Sequence, residues 1–148
     1  MTWEYIAGFF DGEGSLTLHT RSYRISIPQT SFEVLDAIKN HVQLGQVMKV
    51  GKRKAHWKET WVYYICKQND VYSFLNNIKE HTIVKRSLVE TTLPKIMKNI
   101  TKQDAKKEIH DSRASEVKRL RSEGYTFREI GARLGIDFGY ARKLILEK

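Results

Sequence analysis

Cysteine is nearly missing from this chain. Cys66 is the one cysteine in 148 residues, so no internal disulfide can form, which suits a reducing, intracellular compartment. No apolar run approaches the roughly 20 residues of a membrane-spanning helix. A charged start followed by an apolar signal core is also lacking. Internal repeats are absent. Acid is in short supply: 17 Asp and Glu stand against 26 Lys and Arg, a net charge of +9. That balance favours a polyanionic partner, and nucleic acid is the commonest one. Charge alone would also fit a ribosome-bound or membrane-surface protein. What is present suffices for a core, with 41% hydrophobic residues. The length fits one domain, or a domain of about 100 residues with a small appendage.

Residues 3–10, WEYIAGFF, predict a short buried helix ending at Gly12 or Gly14. SLTLHT (15–20) and RISIPQ (24–29) alternate as strands do. Leu16, Leu18, Ile25 and Ile27 are expected to face a core, with Ser15, Thr17, His19, Arg24 and Ser26 on the other side. Phe32, Leu35, Ile38 and Val42 step at helical intervals. Residues 46–66 read as a hairpin with a basic tip. Asn69 or Asp70 would cap a helix bearing Val71, Phe74, Leu75 and Ile78. A further helix is expected from about Val84 to Met97, bent or interrupted at Pro94. The order α-ββ-α-ββ-α-α, with paired strands and no crossovers, implies an α+β domain: an antiparallel sheet with helices on one face.

KNITKQDAKKEIHDS (98–112) is polar with little periodicity and reads as a linker between residues 1–97 and 113–148. Beyond it, SEVKRLRSEG predicts a helix closed by Gly124. Thr126 and Glu129 have capping-box spacing for a second helix. Gly135 ends that helix, and Asp137 can cap a third. Val117, Leu120, Ile130, Leu134, Ile136, Ala141 and Ile145 would form a small core, with Gly131 where helices cross. Two short helices with a tight turn are a helix-turn-helix arrangement, and EGYTFREIGARLGIDFGYARKLI resembles that of site-specific recombinases and related regulators. The resemblance implies that Phe138, Tyr140, Arg142 and Lys143 face a DNA groove. Both parts of the chain carry a positive balance.

Asp11 and Glu13 raise a physical problem. A helix C-terminus carries partial negative charge, and acids there are disfavoured by a few tenths to about 1 kcal/mol. Something positive should compensate, and a hard divalent cation such as Mg²⁺ accepts carboxylate and carbonyl oxygens. Ala7 and Gly8 are small, which lets another backbone approach. An interior helix glycine costs about 1 kcal/mol relative to Ala, so a packing reason is expected. Two such helices meeting would bring two Glu13 side chains together, an arrangement suited to metal-assisted phosphodiester hydrolysis.

IAGFFDGEG (6–14) resembles, position by position, the motif that names the LAGLIDADG homing endonucleases, and the element order of residues 1–97 is similar to that family's fold. The resemblance implies that Glu13 and the Gly12 carbonyl bind Mg²⁺. Ala7, Gly8 and Asp11 would belong to a helix interface, with Asp11 mainly shaping the helix end. Gln29 would orient water, and Lys85 would stabilise charge on the phosphate. One motif copy implies a homodimer acting on near-palindromic double-stranded DNA. Glu stands where the family more often has Asp. Coding within an intron or intein is the family's habit.

The outward sheet face would enter the major groove. Arg21, Tyr23, Arg24, Ser26, Lys49, Lys52, Arg53, His56, Lys58 and Trp61 are the candidate contacts; the register of the second hairpin stays open, since Met48 and Val50 on the face of Gln46 would turn Lys49 to the other side. Two rival readings remain open at this point. One is a non-catalytic transcription regulator, and the other a maturase that binds intron RNA.

Overall fold

The computed structural model describes residues 1–52, 56 and 58–146. They form two units that divide between Ile100 and Thr101.

In the first unit, α1 (Trp3–Glu13) is started by Thr2, whose hydroxyl accepts from Tyr5 N, and stopped at Gly14. A Cβ at Gly14 would lie 2.2 Å from Phe10 Cδ2, so no larger residue fits where the chain turns into the sheet. β1 (Ser15–His19) and β2 (Ser22–Gln29) form the first hairpin. After α2 (Phe32–Val42), β3 (Gln46–Val50) and β4 (Thr60–Ile65) form the second. α3 (Gln68–Ile78) and α4 (Arg86–Ser122) follow. The sheet order is β1-β2-β4-β3, and every pairing is antiparallel.

Sheet parity defines the two faces. Leu16 pairs with Ile25, Ile25 with Ile65, and Ile27 with Tyr63, so these side chains share the helix-covered face. There they join Ile6, Ala7 and Phe10 of α1 and Phe74, Leu75 and Ile78 of α3 in one core. Phe74 receives Phe10 and Trp3 edge-on, with ring centroids 5.8 and 6.2 Å away. Leu18 has the parity expected for the core but stays 60% exposed, because β1 is an edge strand whose far end no described residue covers. The cap of α3 also differs from expectation. Lys67 occupies that position without a side-chain bond, and Asn69 and Asp70 lie in the first turn, where Asp70 still complements the helix dipole.

The stretch 98–112, expected as a linker, is helical. α4 runs through it, and through Pro94. No Gly or Pro occurs from residue 95 to 123, and those residues include six Lys, three Arg and three Glu, all good helix formers. Its weak periodicity has a simple cause. Residues 101–109 are exposed all round, and periodicity reports a buried face rather than helicity.

In the second unit, the last turns of α4 are joined by α5 (Phe127–Leu134) and α6 (Phe138–Leu146). Val117, Leu120, Ile130, Ala141 and Leu144 are its buried core. The Thr126–Glu129 capping box is present, and Gly135 ends α5 at φ +63°. Asp137 Oδ1 accepts from Gly139 N at 2.8 Å and Tyr140 N at 3.2 Å, capping α6. A Cβ at Gly131 would lie 2.7 Å from Ile136 O, so the tight turn between α5 and α6 requires glycine there. Gly131→Ala should therefore destabilise this unit by about 1–3 kcal/mol. Urea unfolding followed by tyrosine fluorescence checks the loss; an unchanged transition would show that the turn can open freely.

Candidate active site and nucleic-acid interface

The two acids of α1 have different surroundings. Asp11 is half-buried and engaged. Its Oδ2 accepts from Ile83 N at 2.6 Å and Val84 N at 3.1 Å, and its Oδ1 from Lys85 N at 3.0 Å. The carboxylate thereby satisfies the free N–H groups at the entry to α4. Lys85 returns the contact. Its ammonium donates to the Phe10 carbonyl at 3.1 Å and to the Asp11 carbonyl. The cation that the helix end required is thus a residue of the chain, set on the last carbonyls of α1. Partial desolvation works against the charged Asp11. The N–H groups of Ile83, Lys85 and Val84, with the Lys85 charge, outweigh it and hold the carboxyl below its ordinary value.

Glu13 is exposed, with no hydrogen-bond or ion-pair partner among the described residues. Gly12 beside it is exposed too. Along the outer side of α1 lie Tyr5, Gly8, Phe9 and Gly12, spaced by three and four residues, with Tyr5 and Phe9 stacked at 6.0 Å. A Cβ at Gly8 or Gly12 would meet nothing within 4 Å, so packing within the chain does not require either glycine. Ala7, expected on this interface stripe, is fully buried in the chain's own core, one helical step from Ile6 and Phe10. Asp11, expected there as well, is taken up by residues 83–85.

Gln29 and Lys85 are not brought together by a hydrogen bond. Gln29 Oε1 accepts from Thr30 N at 2.7 Å and Thr30 Oγ1 at 3.3 Å. Among the described residues no three carboxylate, His or Cys side chains cluster as a metal site.

The sheet face away from the helices presents Thr17, Arg24, Ser26, Gln46, Met48, Val50, Val62 and Tyr64. Tyr64 donates to Gln46 Oε1 at 3.0 Å. Met48 and Val50 do share the side of Gln46. Three expected contacts fall on the opposite face. Tyr23 pairs with Leu18 and packs on the core, and Trp61 pairs with both Gln29 and Lys49. The period of two puts Tyr23, Lys49 and Trp61 on the helix side. There Lys49 binds Glu59 at 2.7 Å and lies over Trp61, which meets Phe32 at 4.8 Å. Arg21 sits exposed in the β1–β2 turn, and Lys52, His56 and Lys58 are exposed between β3 and β4. Arg53 lies outside the described residues. In the second unit Arg142 and Lys143 are exposed on α6, whereas Tyr140 is half-buried against the core.

A family model described as a LAGLIDADG-like domain matches residues 2–79. The chain belongs to the LAGLIDADG family. No curated protein matches it. Among solved structures, the archaeal intron-encoded homing endonuclease I-Vdi141I in complex with DNA matches with TM-score 0.53 and 23% identity, over 97% of this chain and 93% of that one. The homing endonuclease I-CvuI matches in two DNA complexes. The one with calcium gives TM-score 0.56 at 17% identity, over 91% and 95% of the two chains. The one with magnesium, whose DNA is not cleaved, gives 0.51 at 16%, over 64% and 65%. The meganuclease I-AabMI, bound to uncleaved DNA, gives 0.53 at 19%; this chain spans 79% of itself but 44% of I-AabMI. These likenesses show the LAGLIDADG fold.

Within that fold, sequence reading missed the partners of Asp11, the backbone N–H groups of residues 83–85. Backbone donors carry no residue-type signature, and these lie 72 to 74 positions away. Gln46 and Tyr64 were also missed, although counting outward from the β3–β4 pairing would have found them. Asp11→Asn should lower stability by about 1 kcal/mol at pH 7, after allowance for solvent exposure. The folded-state pKa is depressed, so the contribution is present above the unfolded value near 3.9 and is lost as pH falls through the folded value. Urea midpoints of the two proteins should therefore draw together as the pH is lowered below the ordinary carboxylate range and through the folded value. A gap that persists there would mean that charge is not the source.

Proposed function

We propose that this chain is a homodimeric, Mg²⁺-dependent DNA endonuclease that acts inside the cell and cuts both strands of a long, near-palindromic site. The observation that carries the reading is the exposed, unpartnered Glu13 at the end of a helix whose outer stripe carries two glycines with open space around them. An exposed carboxylate with no partner in the chain, beside an exposed glycine, is available to a cation. Glu13 and the Gly12 carbonyl are hard oxygen donors of the kind Mg²⁺ takes. One chain supplies too few acids, and a second Glu13 brought in across Gly8 and Gly12, together with the DNA phosphate, would complete the set. Bound Mg²⁺ would supply Lewis-acid stabilisation of the scissile phosphate.

The chain's own residues have separate tasks in this reading. Asp11 ties α1 to the start of α4 and sets Lys85 at the helix end, where its charge opposes charge building on the phosphate. Gln29 orients the attacking water once its amide leaves Thr30. Arg24, Ser26, Gln46 and Tyr64 face the major groove, flanked by Arg21, Lys52, His56 and Lys58. The second unit adds flanking contacts through Arg142 and Lys143, as expected of a helix-turn-helix. An intron location of the gene would fit. That second unit also favours the rival reading of a DNA-binding regulator.

Glu13→Gln should abolish Mg²⁺-dependent cutting of a near-palindromic duplex library by at least about 100-fold, with DNA affinity kept within a few-fold. Tight binding by a wild type that never cuts would support the regulator instead. Gly8→Leu should leave the single chain no less stable, because open space and better helix propensity await the side chain. The same change should convert the dimer to monomer in sedimentation. An unaltered dimer would move the interface off α1.

A further inference from the structure

The middle of α4 segregates its charges. Within the second unit, Lys102, Lys106 and Arg113 fall within an arc of about 40° at 3.6 residues per turn. All three are exposed and carry no ion pair among the described residues. Asp104, Glu108 and Asp111 gather on the opposite side, where with Lys107, Ser112 and Ser115 they line one shallow depression. A helix built only for solubility would place Glu and Lys four apart, which stabilises it by about 0.2–0.5 kcal/mol per pair. Here Lys102 and Lys106 are four apart and repel, whereas the acidic face holds Lys107, three after Asp104 and four before Asp111. The repulsion within the basic face is relieved by no ion pair among the described residues, which points to a use for that face.

The basic face has a direction and a neighbour. Followed toward the C-terminus, the same helical side carries Val117 and Leu120, the core positions on which α5 and α6 pack. The cations therefore lie on the side of α4 that bears the two small helices. From Lys102 to Arg113 the stripe spans about 16 Å, somewhat more than the roughly 12 Å width of a major groove. Its half-exposed Ile109 provides no hydrogen-bonding group that could read bases.

We propose that Lys102, Lys106 and Arg113 form a phosphate-binding track on which double-stranded DNA rests, independent of its sequence, beside α5 and α6. The proposal rests on the DNA-binding part of the reading above and not on its chemistry. The opposite acidic face keeps the helix from binding DNA in other orientations, because a phosphate backbone is repelled there.

The test uses the full chain carrying Glu13→Gln, without divalent metal, so that its outcome is independent of cutting. Affinity for two unrelated 40-base-pair duplexes is measured across a salt series. Each phosphate contact contributes about 0.9 to the slope of log K against log salt. Lys102→Gln, Lys106→Gln and Arg113→Gln together should flatten that slope by about 2–3 for each bound chain, about 5 for the dimer, equally on both duplexes. Asp104→Asn, Glu108→Gln and Asp111→Asn together should leave it nearly unchanged. Circular dichroism confirms that each variant keeps its helices. An unchanged slope overturns the proposal, as does a loss confined to one duplex or an effect on duplex RNA alone. A change in mass of the free protein would also overturn it, since the stripe would then meet the acidic face of a second copy.

Discussion

At the junction of α1 and α4, a carboxylate and an ammonium each satisfy the other helix's open end. Asp11 accepts the N–H groups of residues 83–85, and Lys85 donates to the carbonyls of Phe10 and Asp11. Without this exchange both ends would carry unsatisfied backbone groups and uncompensated partial charge. It also divides labour between two acids only two positions apart. The one that folds the chain is drawn inward and held. The other, Glu13, is left in solvent with its charge unspent, and the proposed chemistry depends on that difference.

The same economy governs the glycines. Gly14 and Gly131 are required by close contacts within the chain, at the Phe10 ring and the Ile136 carbonyl. Gly8 and Gly12 meet no such contact, yet they sit inside a helix where glycine is costly. A residue whose cost is not recovered within the fold points outside it. α1 is on that ground the proposed meeting place of two chains, and the basic stripe of α4 is likewise turned outward.

The fold was largely legible because its signals are local. Alternation in β1 and β2, the apolar steps of α2 and α3, and the capping box at Thr126 each report on a few neighbouring residues. The motif at residues 6–14 carries the family likeness in nine adjacent residues. Reading broke down where a property depended on distant partners or on register. Lys49 and Trp61 are basic and aromatic as a DNA face should be, but their parity, fixed by pairing with β4 and β2, turns them to the helix side. Residues 98–112 looked like a linker because an exposed helix leaves no hydrophobic period. The partners of Asp11 were invisible because they are backbone groups.

Mixing wild-type and Glu13→Gln chains at constant total concentration tests the central claim most directly. If each cutting centre draws one Glu13 from each of two chains, total strand scission, nicks included, should fall as the square of the wild-type fraction, because mixed dimers neither nick nor cut. A linear fall would contradict the account, because each chain would then carry a complete site of its own.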